Sequence, residues 1–223
     1  MAHQIEKHYS TAIICDDPVA GGTFVMSATL AKEFTQNGVN TRLIAPDSTP
    51  NRNKAAALNV ELSPLPSELY RPPGSYASYR EAAKCLQSLD VEKIVFSNCN
   101  TASLIALKLA AKAIGLPFYT WLHLVELDEW EIFGHVAESG VKAIQSGTQL
   151  VCVSEANQSL FNSQYPNFRR PVRAILNGIS PANEIPGRIE RRQALKASIP
   201  LSDSDLIILA PSRIEPRTVI DRT

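Results

Sequence analysis

No stretch of this chain approaches the roughly 20 apolar residues that a helix needs to cross a bilayer, and Met1 to Ser10 is polar where a signal peptide would be apolar. A cytoplasmic protein is therefore expected. Net charge is also lacking, because 22 Lys and Arg face 22 Asp and Glu, which removes the electrostatic footprint of a nucleic-acid binder. Cysteine is sparse: Cys15, Cys85, Cys99 and Cys152 show no CxxC spacing, and three of them lie in or at the end of apolar, strand-like runs. Buried free thiols are expected rather than a metal site or disulfides. GxGxxG and GK[ST] are both absent, which argues against a Walker-type nucleotidase.

What is present is a soluble composition, 44% hydrophobic and 20% charged, over 223 residues. That length fits one large α/β domain or one domain plus a fragment. Tyr9 to Cys15 (YSTAIIC) reads as a buried parallel strand closed by DDPVAGG, and Thr23 to Gln36 repeats apolar residues at helical spacing up to Asn37-Gly38. Further strands are expected at Val39 to Ala45, weakly at Asn59 to Leu62, and at Lys93 to Phe96, Pro117 to Leu122, Leu150 to Val153 and Val172 to Leu176. Helices are expected at Tyr76 to Leu89, Thr101 to Ile114, Glu129 to Gln145 and Glu155 to Gln164. Pro46 to Lys54 reads as a polar connection, and the prolines of Ser63 to Ser75 predict a long surface loop.

Strands alternating with helices imply an α/β fold with a doubly wound, Rossmann-like parallel sheet and right-handed crossovers. Its boundary is expected near residue 180. Beyond it come a Pro/Gly linker at Pro181 to Gly187, a short charged helix at Ile189 to Ala197 and a buried-type strand, Leu206 to Ala210, that runs into PSRIEPR. These read as residues 181–223 opening a second α/β domain whose remainder is absent.

Ligands of doubly wound sheets bind outside the carboxyl ends of the strands, where helix N-termini and loop amides converge. That rule selects Asp16 to Thr23, Ser97 to Thr101, His123 to Asp128, Ser154-Glu155 and Ser212 to Arg217. Gly21 and Gly22 at a helix start suit an anion such as phosphate, a plain tight turn being the alternative. His123 follows a strand at this edge and can donate to a sugar hydroxyl or phosphate oxygen; a structural histidine is the alternative. Glu126, Asp128, Glu129 and Glu131 hint at an acidic pair, but a solvated helix start explains them better. Capping alone accounts for Ser154 and Glu155. The planar forks of Arg213 and Arg217 match a diphosphate, or are two surface cations.

Gly21 to Ile44 (GGTFVMSATLAKEFTQNGVNTRLI), Val151 to Phe161 (VCVSEANQSLF), Ala174 to Ser180 (AILNGIS) and Leu209 to Arg217 (LAPSRIEPR), in that order, resemble glycosyltransferase family 4, whose members have the GT-B fold. The resemblance implies retaining transfer from a nucleotide sugar to a carbohydrate or lipid acceptor, with no cofactor beyond that donor. It assigns acceptor binding to the amino-terminal domain and donor binding to the other. By position it implies that Gly22 approaches the donor diphosphate or sugar, His123 touches the transferred sugar, Arg213 holds the diphosphate and Asn177-Gly178 forms the interdomain turn. Thr218 and Val219 depart from the family's Lys-Gly, Ser180 replaces the hinge aspartate, and the ExxxxxxxE donor motif does not occur. The expectation is a chain inactive alone, completed by a separate donor-domain polypeptide, or else a non-catalytic acceptor-binding or scaffold module. Arg52, Lys54, Arg71, Arg80 and Lys84 make the first half locally basic, which would suit a location peripheral to a membrane.

Overall fold

The computed structural model describes residues 9–70 and 76–178, together with residues 190, 193 and 194. The chain divides into two units after Gly178, and the first holds the sheet. Its elements run β1 (Tyr9–Cys15), α1 (Gly22–Gln36), β2 (Thr41–Pro46), α2 (Thr49–Ala57), β3 (Leu62–Leu65), α3 (Ser67–Tyr70), α4 (Tyr76–Gln87) and β4 (Val91–Asn98). They continue with α5 (Ile105–Ala113), β5 (Phe118–Leu122), α6 (Glu129–Phe133), α7 (His135–Gln145), β6 (Gln149–Cys152), α8 (Glu155–Gln164) and β7 (Val172–Ala174). Seven strands form one parallel sheet in the order β3-β2-β1-β4-β5-β6-β7. The expected α/β, doubly wound parallel sheet is what forms.

Strand alternation divides the core. Ile13 and Cys15 of β1 pack on Phe24, Ala28 and Ala31 of α1, while Ala12 and Ile14 face the other way, toward Leu86 of α4 and Leu107, Ala110 and Ala111 of α5. Phe96 and Phe118 meet edge to face on that second side, with ring centroids 5.2 Å apart, a geometry worth about 0.5–1.5 kcal/mol beyond burial. A third cluster joins Leu122, Leu150 and Cys152 to Ile144 of α7 and Phe161 of α8. α1 ends where Asn37-Gly38 predicts: Gly38 has φ +81, and Val39 N–H and Gly38 N–H donate to the Phe34 and Thr35 carbonyls. The order of strands reverses between β1 and β4, so a crevice opens at their carboxyl ends.

The structure corrects several expected boundaries. Pro46 to Lys54 is not a plain connection, because α2 begins there with Ser48 as N-cap, its Oγ accepting from Asn51 N–H at 3.2 Å. β3 lies at Leu62–Leu65 rather than Asn59 to Leu62, and takes in Pro64, which a sheet tolerates on its edge strand. α3 occupies part of the expected loop. The helix expected at Thr101 starts only at Ile105, after Leu104 in the left-handed region (φ +54). The single helix expected over Glu129 to Gln145 is broken at Gly134, φ +54, into α6 and α7. Glu190, Gln193 and Ala194 are helical, and the expected strand at Leu206 to Ala210 lies outside the described residues.

Candidate functional site

β1 delivers two consecutive acids to the crevice, and the pleat turns them to opposite faces. The Asp17 carboxylate turns toward α1. Its Oδ1 accepts from Val19 N–H at 3.0 Å and its Oδ2 from Phe24 N–H at 3.2 Å. Gly21, the N-cap of α1, has no side chain with which to cap, so Asp17 satisfies an orphan amide in its place. A Cβ on Gly21 would lie 2.7 Å from Asp17 Oδ2, whereas one on Gly22 would meet nothing within 4 Å. Gly21 is thus fitted to Asp17, and Gly22 faces open space. α2 ties down the same loop, because the buried Asn51 donates through Nδ2 to the Asp17 and Pro46 carbonyls, each at 2.9 Å.

His123 stands at the end of β5. Its N–H donates to the Asn98 carbonyl at 3.0 Å and its carbonyl accepts from Asn157 Nδ2 at 3.0 Å, so the backbone is fixed on both sides. The ring leans on Trp121, with centroids 4.6 Å apart, and its Nε2 lies 3.0 Å from Ser97 Oγ. Ser97 in turn meets Ser27 of α1 at 2.7 Å. Burial pushes the His123 pKa down to about 4, against a weaker upward pull from Asp17, so the ring is neutral near pH 7.

Asp16 turns to the other face. Its Oδ1 accepts from Cys99 N–H at 2.9 Å. Beneath it Lys108 of α5 is fully buried, donates through Nζ to the Ser103 carbonyl and lies 5.9 Å from the centroid of the Phe96 ring. Burial lowers the lysine pKa to about 7 and raises that of Asp16, while each group's charge opposes the other's shift. A cavity of about 380 Å³ opens on this side, lined by Asp16, Tyr70, Ser103, Ile105, Ile132 and Phe133 among others.

Glu129 overturns the solvated helix start expected of the acidic run. It is fully buried, and its Oε2 accepts from Thr101 Oγ1 and from the Tyr165 hydroxyl, each at 2.6 Å. Burial raises its pKa despite those bonds. Its apolar neighbours are the ones that meet solvent: Leu127, Trp130 and Ile132 are all exposed.

Ser154 is engaged as the N-cap of α8, accepting from Asn157 N–H at 3.1 Å, and Glu155 is exposed in the first turn. Arg213 and Arg217 lie outside the described residues, so the edge brings together Gly21, Gly22 and His123 of the expected set. Sequence reasoning did not single out Asp16, Asp17, Ser27, Ser97 or Lys108, although the strand-end windows contained three of them. All four cysteines are free, Cys15 and Cys152 being buried. Among the described residues no group of three His, Cys, Asp or Glu side chains could hold a metal ion. No helix there is long and apolar enough to cross a membrane. Of the basic residues in the first half, Arg52 pairs with Asp47 at 2.6 Å and Lys84 with Glu81 at 2.9 Å.

The sequence model of Glycosyltransferase Family 4 matches residues 20–183. The chain belongs to glycosyltransferase family 4. No match was found among curated protein sequences. Among solved structures, this family 4 chain is similar to Anabaena HepE in complex with UDP and glucose, with a TM-score of 0.63 at 15% identity over 84% of this chain and 50% of that one. A glycosyltransferase from Rickettsia africae ESF-5 gives a TM-score of 0.59 at 17% identity, over 92% of this chain and 54% of that one. A UDP-GlcNAc 2-epimerase from Neisseria meningitidis bound to UDP-GlcNAc gives 0.54 at 9% identity, over 74% and 46%. At such identities the likeness concerns the fold, which is the Rossmann-like half of the GT-B architecture. The chain spans about half the length of the solved structures it matches.

Proposed function

We propose that this chain forms the acceptor side of a retaining glycosyltransferase that moves a sugar from a nucleotide sugar onto a carbohydrate or lipid hydroxyl. The observation that carries the reading is a neutral imidazole, His123, fixed at a strand end on the same edge as the unobstructed Gly22, in a family 4 chain. His123 contacts the transferred sugar, and Gly22 lets the donor approach the first turn of α1. Arg213 and Arg217 hold the diphosphate, and the acceptor enters the cavity beside Asp16. The reaction calls for no cofactor beyond the nucleotide sugar.

A diphosphate leaving group needs cations or aligned amides to absorb its developing charge, commonly the largest catalytic contribution. In this reading Arg213 and Arg217 supply only part of that charge, and the group held against the glycine loop, the Asp17 carboxylate, is of the wrong sign for the task. Residues 1–223 therefore transfer sugar only when a donor-binding half is supplied, within a longer chain or as a separate polypeptide. The same carboxylate favours a second reading, a non-catalytic acceptor-binding or scaffold module. A cytoplasmic site of action, peripheral to a membrane when the acceptor is a lipid, goes with the first reading.

The test is to incubate the chain with UDP-glucose or UDP-N-acetylglucosamine and an alkyl glucoside acceptor, with and without a donor-binding half. Product is expected only with that half present, carrying the anomeric configuration of the donor by proton NMR. His123→Ala should lower kcat/KM about tenfold, the loss of one hydrogen bond to the sugar. Acceptor binding without transfer in either arm would leave the module reading standing.

A further inference from the structure

Three contacts in a row allow the protons around His123 to be counted. Ser27 Oγ lies 2.7 Å from the Thr23 carbonyl oxygen and 2.7 Å from Ser97 Oγ, and Ser97 Oγ lies 3.0 Å from His123 Nε2. A carbonyl oxygen has no proton to give, so the first contact uses the Ser27 hydroxyl proton. Ser27 Oγ then offers only lone pairs to Ser97, and the second contact uses the Ser97 proton. Ser97 Oγ in turn offers only lone pairs to the ring, so the third contact requires a proton on Nε2. Running the chain the other way, from Ser27 through Ser97 to a bare Nε2, leaves the Thr23 contact without a proton. That direction makes one hydrogen bond fewer, and both serines are fully buried, so solvent does not replace it.

The surroundings agree with this direction. The Cys15 thiol adjoins Ser27, and burial holds it protonated, so no thiolate competes for the Ser27 proton. The ring itself is neutral near pH 7, so a proton on Nε2 leaves Nδ1 bare. Among the described residues no hydrogen bond to Nδ1 is present, and the ring is only part-buried.

We propose that Ser27 and Ser97 lock His123 in the Nε2–H tautomer, so that its bare Nδ1 accepts a hydrogen bond from a hydroxyl of the bound sugar. Ser27 and Ser97 do not touch the ligand in this account; they are positioning residues that decide which kind of ligand group the imidazole can meet. A bare nitrogen favours a donor such as a sugar hydroxyl and disfavours a phosphate oxygen, since two sets of lone pairs repel. The imidazole thus accepts from the sugar at Nδ1, where the sequence alone suggested that it donates. The identity of the hydroxyl as a sugar's rests on the glycosyltransferase reading; the tautomer does not.

Nitrogen-15 NMR through multiple-bond couplings, on the full chain labelled at histidine and held at pH 7, reports the tautomer directly. His123 is assigned by the signals lost in His123→Gln. The expected spectrum shows a protonated Nε2 and a bare Nδ1. Ser97→Ala should move both nitrogens toward the tautomer average, Ser27→Ala should do so to a smaller extent, and Ser97→Thr, which keeps a hydroxyl, should restore the parent pattern. A protonated Nδ1 or an averaged pattern in the unaltered chain overturns the proposal, as does a Ser97→Ala spectrum identical to the parent's. These signals do not depend on turnover. The expected tautomer in a chain that never transfers sugar would uphold the lock and sink the enzymatic reading, and the reverse result would do the opposite.

Discussion

Asp16 and Asp17 are neighbours in the chain, yet the crevice uses them in contrasting ways. On the Asp16 side a carboxylate that lines a cavity acts on a fully buried lysine, and both groups are shifted toward neutrality by loss of solvent. On the Asp17 side the carboxylate is taken up by two backbone amides, and the polar chain from Ser27 through Ser97 ends on a part-exposed imidazole. Neutral hydrogen bonds can be completed inside a fold at little cost, while a buried charge needs its partner. The buried lysine therefore bears mainly on stability and the hydrogen-bonded imidazole on the transferred sugar, and the two should respond differently to substitution and to pH.

The largest effect is expected where the comparison is broken at Lys108. Lys108→Ala removes a buried cation, its bond to the Ser103 carbonyl and its packing on Phe96, leaving Asp16 buried without its counter-charge. Truncating a long, fully buried side chain to alanine costs about 2–5 kcal/mol, which urea unfolding with an unchanged denaturant slope would register. The pH dependence follows from linkage. Lys108 has a folded pKa of about 7 against an ordinary 10.5, so the unfolded chain binds more protons between those values and stability rises with pH across that window. Asp16→Asn removes the upward pull on the lysine, so its rise should start below pH 7. An alkaline limb that persists in Lys108→Ala would show that the lysine does not cause it, and one that does not move in Asp16→Asn would show that the two groups are not coupled.

These two sides were unequally legible in the sequence. The parallel sheet could be read from apolar runs alternating with helical periods, and the strand-end rule directed attention to the correct edge, because both signals are local in the chain. Lys108 could not be read: a lysine in an Ala/Leu-rich helix ordinarily extends to solvent, and its counter-charge lies at the end of a strand far away in sequence. Glu129 was misread for the same reason, since Thr101 and Tyr165, which bury and bond it, come from distant segments. α2 is a different failure. TPNRNKAAA carries little apolar signal, because the helix is held by the buried amide of Asn51 rather than by a hydrophobic stripe. Ser48 followed by Pro50 was the available clue. Gly134 similarly marked the break between α6 and α7 that the run of helix formers obscured.

The Asp17 side should show itself at the opposite end of the pH scale. His123 has a folded pKa of about 4 against an ordinary 6.5, so the unfolded chain binds more protons between those values. Its contribution is complete above pH 6.5 and is lost as pH falls toward 4. Because the ring is partly solvated, the acid limb should amount to only about 1–2 kcal/mol, less than full linkage of the shift would give. His123→Gln should flatten that limb and leave the Lys108 limb intact, measured as melting temperature against pH. Loss of both limbs together would mean that the two faces are not independent.

The smallest effects separate the two adjacent glycines, and with them structure from function on the Asp17 side. Gly21→Ala places a methyl 2.7 Å from Asp17 Oδ2, which cannot retreat without giving up its bond to Phe24 N–H. A loss of about 1–2 kcal/mol is expected, at the lower end of overpacking costs. Gly22→Ala meets no atom within 4 Å, and its stability change should stay within about 0.5 kcal/mol. If Gly22 is open so that a nucleotide sugar can approach the first turn of α1, the same methyl should raise the KM for UDP-glucose in the completed enzyme while the melting temperature stays put. An unchanged KM would make Gly22 a plain turn residue, and the donor would then have to be held by groups outside this loop. The two alanines thus invert one another: the first lowers the melting temperature through Asp17, and the second is silent until a ligand arrives.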